Sequence, residues 1–97
     1  MTMKITGIIW LKTIIEKLDW KHNIYPEEVE EVFRNRPEYR FLERGNIDGE
    51  NVYAAYGRTD GGRYITIVFI RKAGSKALII SARNMDKKER KQYGRKN

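Results

Sequence analysis

Residues 65–70 (Ile65, Thr66, Ile67, Val68, Phe69 and Ile70) limit the fold more than any other stretch of the chain. β-Branched and aromatic side chains crowd a helix but pack well on a pleated surface. This run is apolar at both odd and even positions, so both faces need cover, which marks a central strand. Thr59, Asp60, Gly61 and Gly62 precede the strand Tyr64–Ile70, and Ala73, Gly74 and Ser75 follow it. Asp-Gly and Gly-Gly pairs supply the positive φ that tight hairpins require. Links this short demand antiparallel neighbours, and Val52–Tyr56 and Ala77–Ser81 have strand composition on either side. Tyr39–Glu43 joins as a fourth strand across the turn at residues 45–49. The expectation is a four-stranded antiparallel meander.

Upstream the hydrophobic period changes from two to that of a helix. Leu11, Ile14, Ile15 and Leu18 share one stripe, while Lys12, Thr13, Glu16, Lys17 and Asp19 take the other side. This helix should stop near His22 and Asn23, because asparagine tolerates a left-handed cap. A second helix starts at Pro26, whose φ suits a first helical position. Glu27 and Glu28 sit where the helix dipole favours anions, Val29, Val32 and Phe33 form its apolar face, and Asn35, Arg36 and Pro37 end it. About three residues join the two helices, so they form a hairpin. Residues 5–9 have the composition of a short edge strand. At the far end Asp86 and Glu89 have capping-box spacing for a third helix. That helix is almost wholly basic and polar, with Tyr93 and the preceding Met85 as its only apolar grip. The fold class is therefore α+β: an N-terminal helical hairpin, the meander with a possible extra edge strand, and a C-terminal basic helix.

Ninety-seven residues suffice for one domain, 1–97, with 40% hydrophobic residues to build a core. With no cysteine, disulfides and thiolate metal sites are excluded, and a reducing compartment fits. Lys4, Lys12 and Glu16 interrupt the only apolar stretch near the amino end, so neither signal peptide nor membrane span is expected. A soluble, cytoplasmic protein is the expectation. The net charge of +7 is unevenly spread. Residues 25–50 are net acidic, whereas 51–82 and 83–97 are both strongly basic. One basic face offered to a polyanion would have this pattern, although solvated lysines also merely keep small proteins soluble.

Two stretches together resemble a known family. The first runs from Trp10 to Phe33, with Lys21 and His22, then Ile24, then Pro26, Glu27, Glu28, Val29, Glu30, Glu31 and Val32. The second is Ile80, Ser81, Ala82 and Arg83, leading to Asp86, Lys87, Lys88, Glu89, Arg90 and Tyr93. Gly57 and Arg58 add a Gly-Arg step before the central strand. The pattern is similar to that of the BrnT-type ribonuclease toxins of prokaryotic toxin–antitoxin pairs. The family's glycine after the histidine is Asn23 here, and its acidic residue after the first tryptophan is Leu11. The resemblance implies a RelE-like fold, ribosome-independent RNA cleavage, and a small ribbon-helix-helix antitoxin through which alone DNA would be contacted.

RNA cleavage without a metal needs a base for the 2′-hydroxyl proton, cations for the pentacoordinate phosphate, and an acid for the departing 5′ oxygen. With one histidine a two-histidine design is excluded, so Arg, Lys, Tyr and Glu must share the work. Arg83, between a buried-looking strand and a helix, can clamp a phosphate bidentately, or it can pair with a glutamate of the acidic segment. Arg58 and Arg71, at opposite ends of the long hairpin, either project to substrate or are solvated strand ends. Glu89 is first a cap and second a general base. His22 has the right intrinsic pKa for catalysis but sits where a histidine often serves as a helix terminator. The catalytic candidates are thus Arg83, Arg58, Glu89 and His22. For substrate binding they are Arg71, Lys87, Arg90, Tyr93 and Lys21. Arg90 and Tyr93 share a helix face, which suits phosphate contact and base stacking, although Tyr93 also serves to pin the helix. Trp10 and Trp20 read as packing residues, Trp20 lying off the buried stripe. No cofactor or metal is expected, since no second histidine or cysteine accompanies His22. A nucleic-acid-binding module without turnover, a decayed toxin, and a protein–protein adaptor remain the alternative functions.

Overall fold

A computed structural model describes residues 3–47 and 49–96; Asp48, in the expected turn at 45–49, lies outside the described residues. The elements are β1 (Gly7–Ile9), α1 (Lys12–His22), α2 (Pro26–Arg34), β2 (Glu38–Glu43), β3 (Val52–Arg58), β4 (Tyr64–Lys72), β5 (Lys76–Asn84) and α3 (Lys87–Lys96). The sheet order is β1-β5-β4-β3-β2, so β4 is the middle strand. Strands β2 to β5 form the expected antiparallel meander. The fifth strand changes the sheet type: β1 runs parallel to β5, pairing Gly7 with Lys76 and Ile9 with Leu78. A parallel pair needs a long crossover, and here residues 10–75, about two thirds of the chain, lie between the partners.

Strand parity sorts the sheet into two unlike faces. Ile65, Ile67 and Phe69 of β4, with Ala55, Ala77, Ile79 and Ala82 from its neighbours, are fully buried. They meet Leu18 of α1, Ile24, and Val29 and Val32 of α2 in one core cluster. Phe33, Tyr39 and Tyr53 surround Phe69 with ring centroids 5.5–6.1 Å away. Burial pushes the Tyr39 phenol up to about 12. The opposite face carries Tyr64, Thr66, Val68 and Ile70. Thr66 is buried near α3, but Val68 and Ile70 are half-exposed. The central strand is thus covered fully on one side and only at its Tyr64–Thr66 end on the other. Trp10 packs against the core, whereas Trp20 stands out at 76% exposure.

The local signals operate as read. Asn23 ends α1 at φ 52°, its N–H bonding back to the Asp19 and Leu18 carbonyls. Pro26 opens α2, with the Glu28 carboxylate accepting the Tyr25 N–H at 3.1 Å. Arg63 then ties three segments together. Its guanidinium donates to the carbonyls of His22 (2.9 Å) and Asn23 (2.6 Å), to Glu28 (3.1 Å) and to Asn84 (2.8 Å). It thereby caps α1, joins α2 and fixes the end of β5 beside the β3–β4 turn. Asp60 of that turn receives hydrogen bonds from Arg34 of α2 and from Asn35, which caps it, and its N–H donates to Glu31. Hairpin and helices are locked at the end of the sheet where α3 begins.

Candidate functional site

Asp86 and Glu89 form the expected capping box. The Glu89 N–H donates to Asp86 Oδ1 at 2.8 Å, and the Asp86 N–H donates to Glu89 Oε1 at 3.0 Å. The same Glu89 carboxylate also receives Arg83. Arg83 Nη1 and Nη2 each lie 2.7 Å from a different Glu89 oxygen, a bidentate fork, and the Thr66 hydroxyl donates to Oε1 at 3.2 Å. Arg83 therefore does pair with a glutamate, but with the cap of α3 rather than one in the acidic middle segment. Burial works to raise the Glu89 pKa, but hydrogen bonds from Arg83, Asp86 and Thr66 outweigh it and hold the carboxyl below the usual range. The Glu89 hydrogen bond in turn raises the Arg83 pKa further, so both stay charged. A third Arg83 donor reaches the Asn84 carbonyl at 3.2 Å. Three of the five guanidinium N–H groups are spent within the protein; an incoming phosphate can use the others or exchange with Glu89.

The sheet register explains which side chains join this pair. Glu38, Tyr56, Thr66 and Arg83 are successive partners across β2, β3, β4 and β5, one row on the α3 side. Arg58 is paired with Tyr64 in the next row. The Tyr64 ring lies 4.2 Å from the Arg90 guanidinium and 5.6 Å from that of Arg58, and Tyr93 meets its edge at 6.0 Å. Hydrogen bonding and charge from Arg58, then from Arg90, lower the Tyr64 pKa against the opposing effect of desolvation. Between α3 and the β2–β3 half of this face lies a cleft of about 380 Å³, lined among others by Arg40, Tyr56, Lys88, Glu89, Gln92 and Tyr93.

Of the candidates read from the sequence, the fold brings together Arg83, Arg58, Glu89, Arg90 and Tyr93. Lys87 opens α3 beside them. His22 and Lys21 end α1, which packs on the other face of the sheet; the His22 carbonyl is linked to Asn84 through Arg63. Arg71 is distant as well. It pairs with Ala77 on the helix-hairpin face, five residues along β4 from Thr66 or roughly 16 Å at strand rise, and donates to Ser75 at 3.2 Å. Tyr64, Thr66 and Tyr56 belong to the cluster but were not singled out in the sequence. Their signal was strand parity: Tyr64 and Thr66 fall on the opposite face from Ile65 and Ile67, and Tyr56 on the opposite face from Ala55. Among the described residues no three His, Asp or Glu side chains are grouped as a metal site would need, and no helix is long and apolar enough to cross a membrane.

Comparison with known proteins bears on this arrangement. No curated protein sequence matches the chain. The solved structures include a match titled as the 1.1 Å crystal structure of the Brucella abortus ribonuclease toxin BrnT, with a TM-score of 0.62 at 20% identity, covering 89% of this chain and 100% of that one. At that identity the likeness establishes the shared fold. The family model described as "Ribonuclease toxin, BrnT, of type II toxin-antitoxin system" matches residues 16–89, from the first helix to the carboxylate that grips Arg83. This chain belongs to the BrnT family of type II toxin–antitoxin systems, and that membership implies an antitoxin partner.

Proposed function

We propose that this protein is a ribosome-independent, metal-independent endoribonuclease that uses the substrate's own 2′-hydroxyl. The observation that carries the reading is the grouping of Arg58, Arg83 and Arg90 with Tyr64 and Glu89 at one end of one sheet face. In the reaction the O2′–P bond forms as the P–O5′ bond breaks, leaving a 2′,3′-cyclic phosphate and a 5′-hydroxyl. Arg83 and Arg58 offset the charge that develops on the phosphate oxygens. Glu89, ionised through the neutral range, accepts the 2′-hydroxyl proton while orienting Arg83. Its lowered pKa makes it a weak base and the chemistry slow. Tyr64, flanked by two arginines, donates the proton that the 5′ oxygen needs. Lys87, Arg90 and Tyr93 bind neighbouring nucleotides; Lys21, His22 and Arg71 are left to outlying backbone contacts. We also propose that residues 1–97 form one RelE-like domain acting in the cytoplasm, with a small ribbon-helix-helix antitoxin as the only route to DNA.

A denaturing-gel assay on a long RNA in EDTA, with DNA of the same sequence as control, tests this reading. RNA should be cut and DNA left intact, and Arg83→Ala should lower the rate by about a hundredfold or more. Failure of clean, folded wild-type protein to cut would overturn the enzyme reading. The runner-up, a binding module without turnover, is favoured by one observation only: Arg83 is already engaged by Glu89.

A further inference from the structure

The cleft beside the Arg83–Glu89 pair has a lining unlike the rest of this basic end. Among its lining residues, Tyr56 and Tyr93 supply aromatic surface; Glu38, Asp86 and Glu89 supply carboxylates; Arg40 and Lys88 supply cations. Its volume of about 380 Å³ falls near the lower end of small-molecule sites, the size for one nucleotide rather than a duplex. The lining carries both signs of charge, so a phosphate belongs beside Arg40 and Lys88 and a donor-bearing group against the carboxylates. An ionised carboxylate only accepts hydrogen bonds, and aromatic rings stack on bases. A planar base with donors on its edge meets both conditions.

We infer that this cleft is a base-reading pocket that selects guanine. The inference rests on the RNA-directed reading above and names the part of the substrate that this side of the site recognises. Guanine alone among the four bases presents two adjacent donors, N1–H and N2–H, to a single carboxylate. Adenine and cytosine present one amino group beside an acceptor. Uracil holds its one N–H between two carbonyls, which the carboxylate repels. Glu38 sits in the same cross-strand row as Tyr56, Thr66 and Arg83, so the pocket lies beside the phosphate cluster and not within it. Glu89 is a wall shared by both, lining the cleft and gripping Arg83.

The experiment is titration of the whole protein with 5′-GMP, AMP, CMP and UMP, followed by backbone amide chemical shifts. These mononucleotides have no downstream linkage to cut, so binding is read independently of cleavage. GMP should bind about tenfold tighter than UMP, with shifts centred on β2, β3 and α3. Glu38→Gln is the discriminating variant, because an amide presents a donor beside its acceptor and should remove the preference for GMP. Asp86 is a poorer choice, since its carboxylate also caps α3. Tyr56→Leu should weaken all four nucleotides alike. Equal binding of all four, shifts confined to the basic surface of α3, or a guanine preference that survives Glu38→Gln would each overturn the pocket. Selective GMP binding by a protein that cuts no RNA would keep the pocket and sink the enzyme. Cleavage without base discrimination would do the reverse.

Discussion

Glu89 shows how one side chain can serve local and tertiary structure together. Its carboxylate completes the cap of α3, holds Thr66 and forks onto Arg83. The sign of its pH effect follows from its lowered pKa. A carboxyl shifted down on folding contributes stability above its unfolded value, about 4.3, and loses it as pH falls through the folded value. Glu89→Gln should therefore lower the unfolding free energy read from urea denaturation at neutral pH, by about 1 kcal/mol as expected for a lost cap interaction. The difference from wild type should shrink steadily as the pH falls below about 5. A gap that stays constant down to pH 3 would mean the carboxylate charge is irrelevant. The capping role was legible from spacing alone. The Arg83 partnership was not, because it depends on how β5 leads into the helix.

At the scale of elements, α2 and β3 approach closely at Gly57. A β-carbon there would lie 2.9 Å from Val32 Cγ1 and 3.2 Å from Pro37 Cβ. The sequence marked Gly57 only as part of a family step; the packing gives the reason for a residue without a side chain. Gly57→Ala should destabilise by about 1–3 kcal/mol through overpacking. The double variant with Val32→Ala should lose less than the sum of the two single losses, a coupling readable from urea unfolding. Equal and additive losses would show that the two residues do not press on each other. The same junction sets the site, since Asn35 donates to the Arg58 carbonyl and Asp60 is bound from α2. Moving α2 would move the strand that carries Arg58.

Over the whole molecule, stability and charge are distributed oppositely. The core lies between β4 and the two N-terminal helices, with Ile65, Ile67 and Phe69 fully buried. The basic C-terminal helix is held chiefly through Glu89 and the Tyr93–Tyr64 contact. Such a helix opens locally at far lower cost than the sheet. Amide hydrogen exchange should show α3 exchanging orders of magnitude faster than β4, and protection of α3 equal to that of β4 would contradict this. A substrate or antitoxin that engages α3 would then act on the least stable element of the fold.

What the sequence determined by itself was everything set by nearest neighbours along the chain. The Ile65–Ile70 run, the Asp60–Gly62 and Gly74 turns, the Pro26 start, the Asn23 cap and the Asp86–Glu89 box all act within a few residues, so period and spacing suffice to read them. Arg83, Arg58, Arg90 and Tyr93 were legible as candidates through the family pattern. Tertiary structure alone decided that β1 runs parallel beside β5, that Arg63 staples α1 to β5, and that His22 and Arg71 stand apart from Arg83. It alone set Glu38, Tyr56, Thr66 and Arg83 in one row. These are matters of strand register and of which face a helix covers. A one-residue change in register moves every side chain to the other side of the sheet, and no local pattern records that choice.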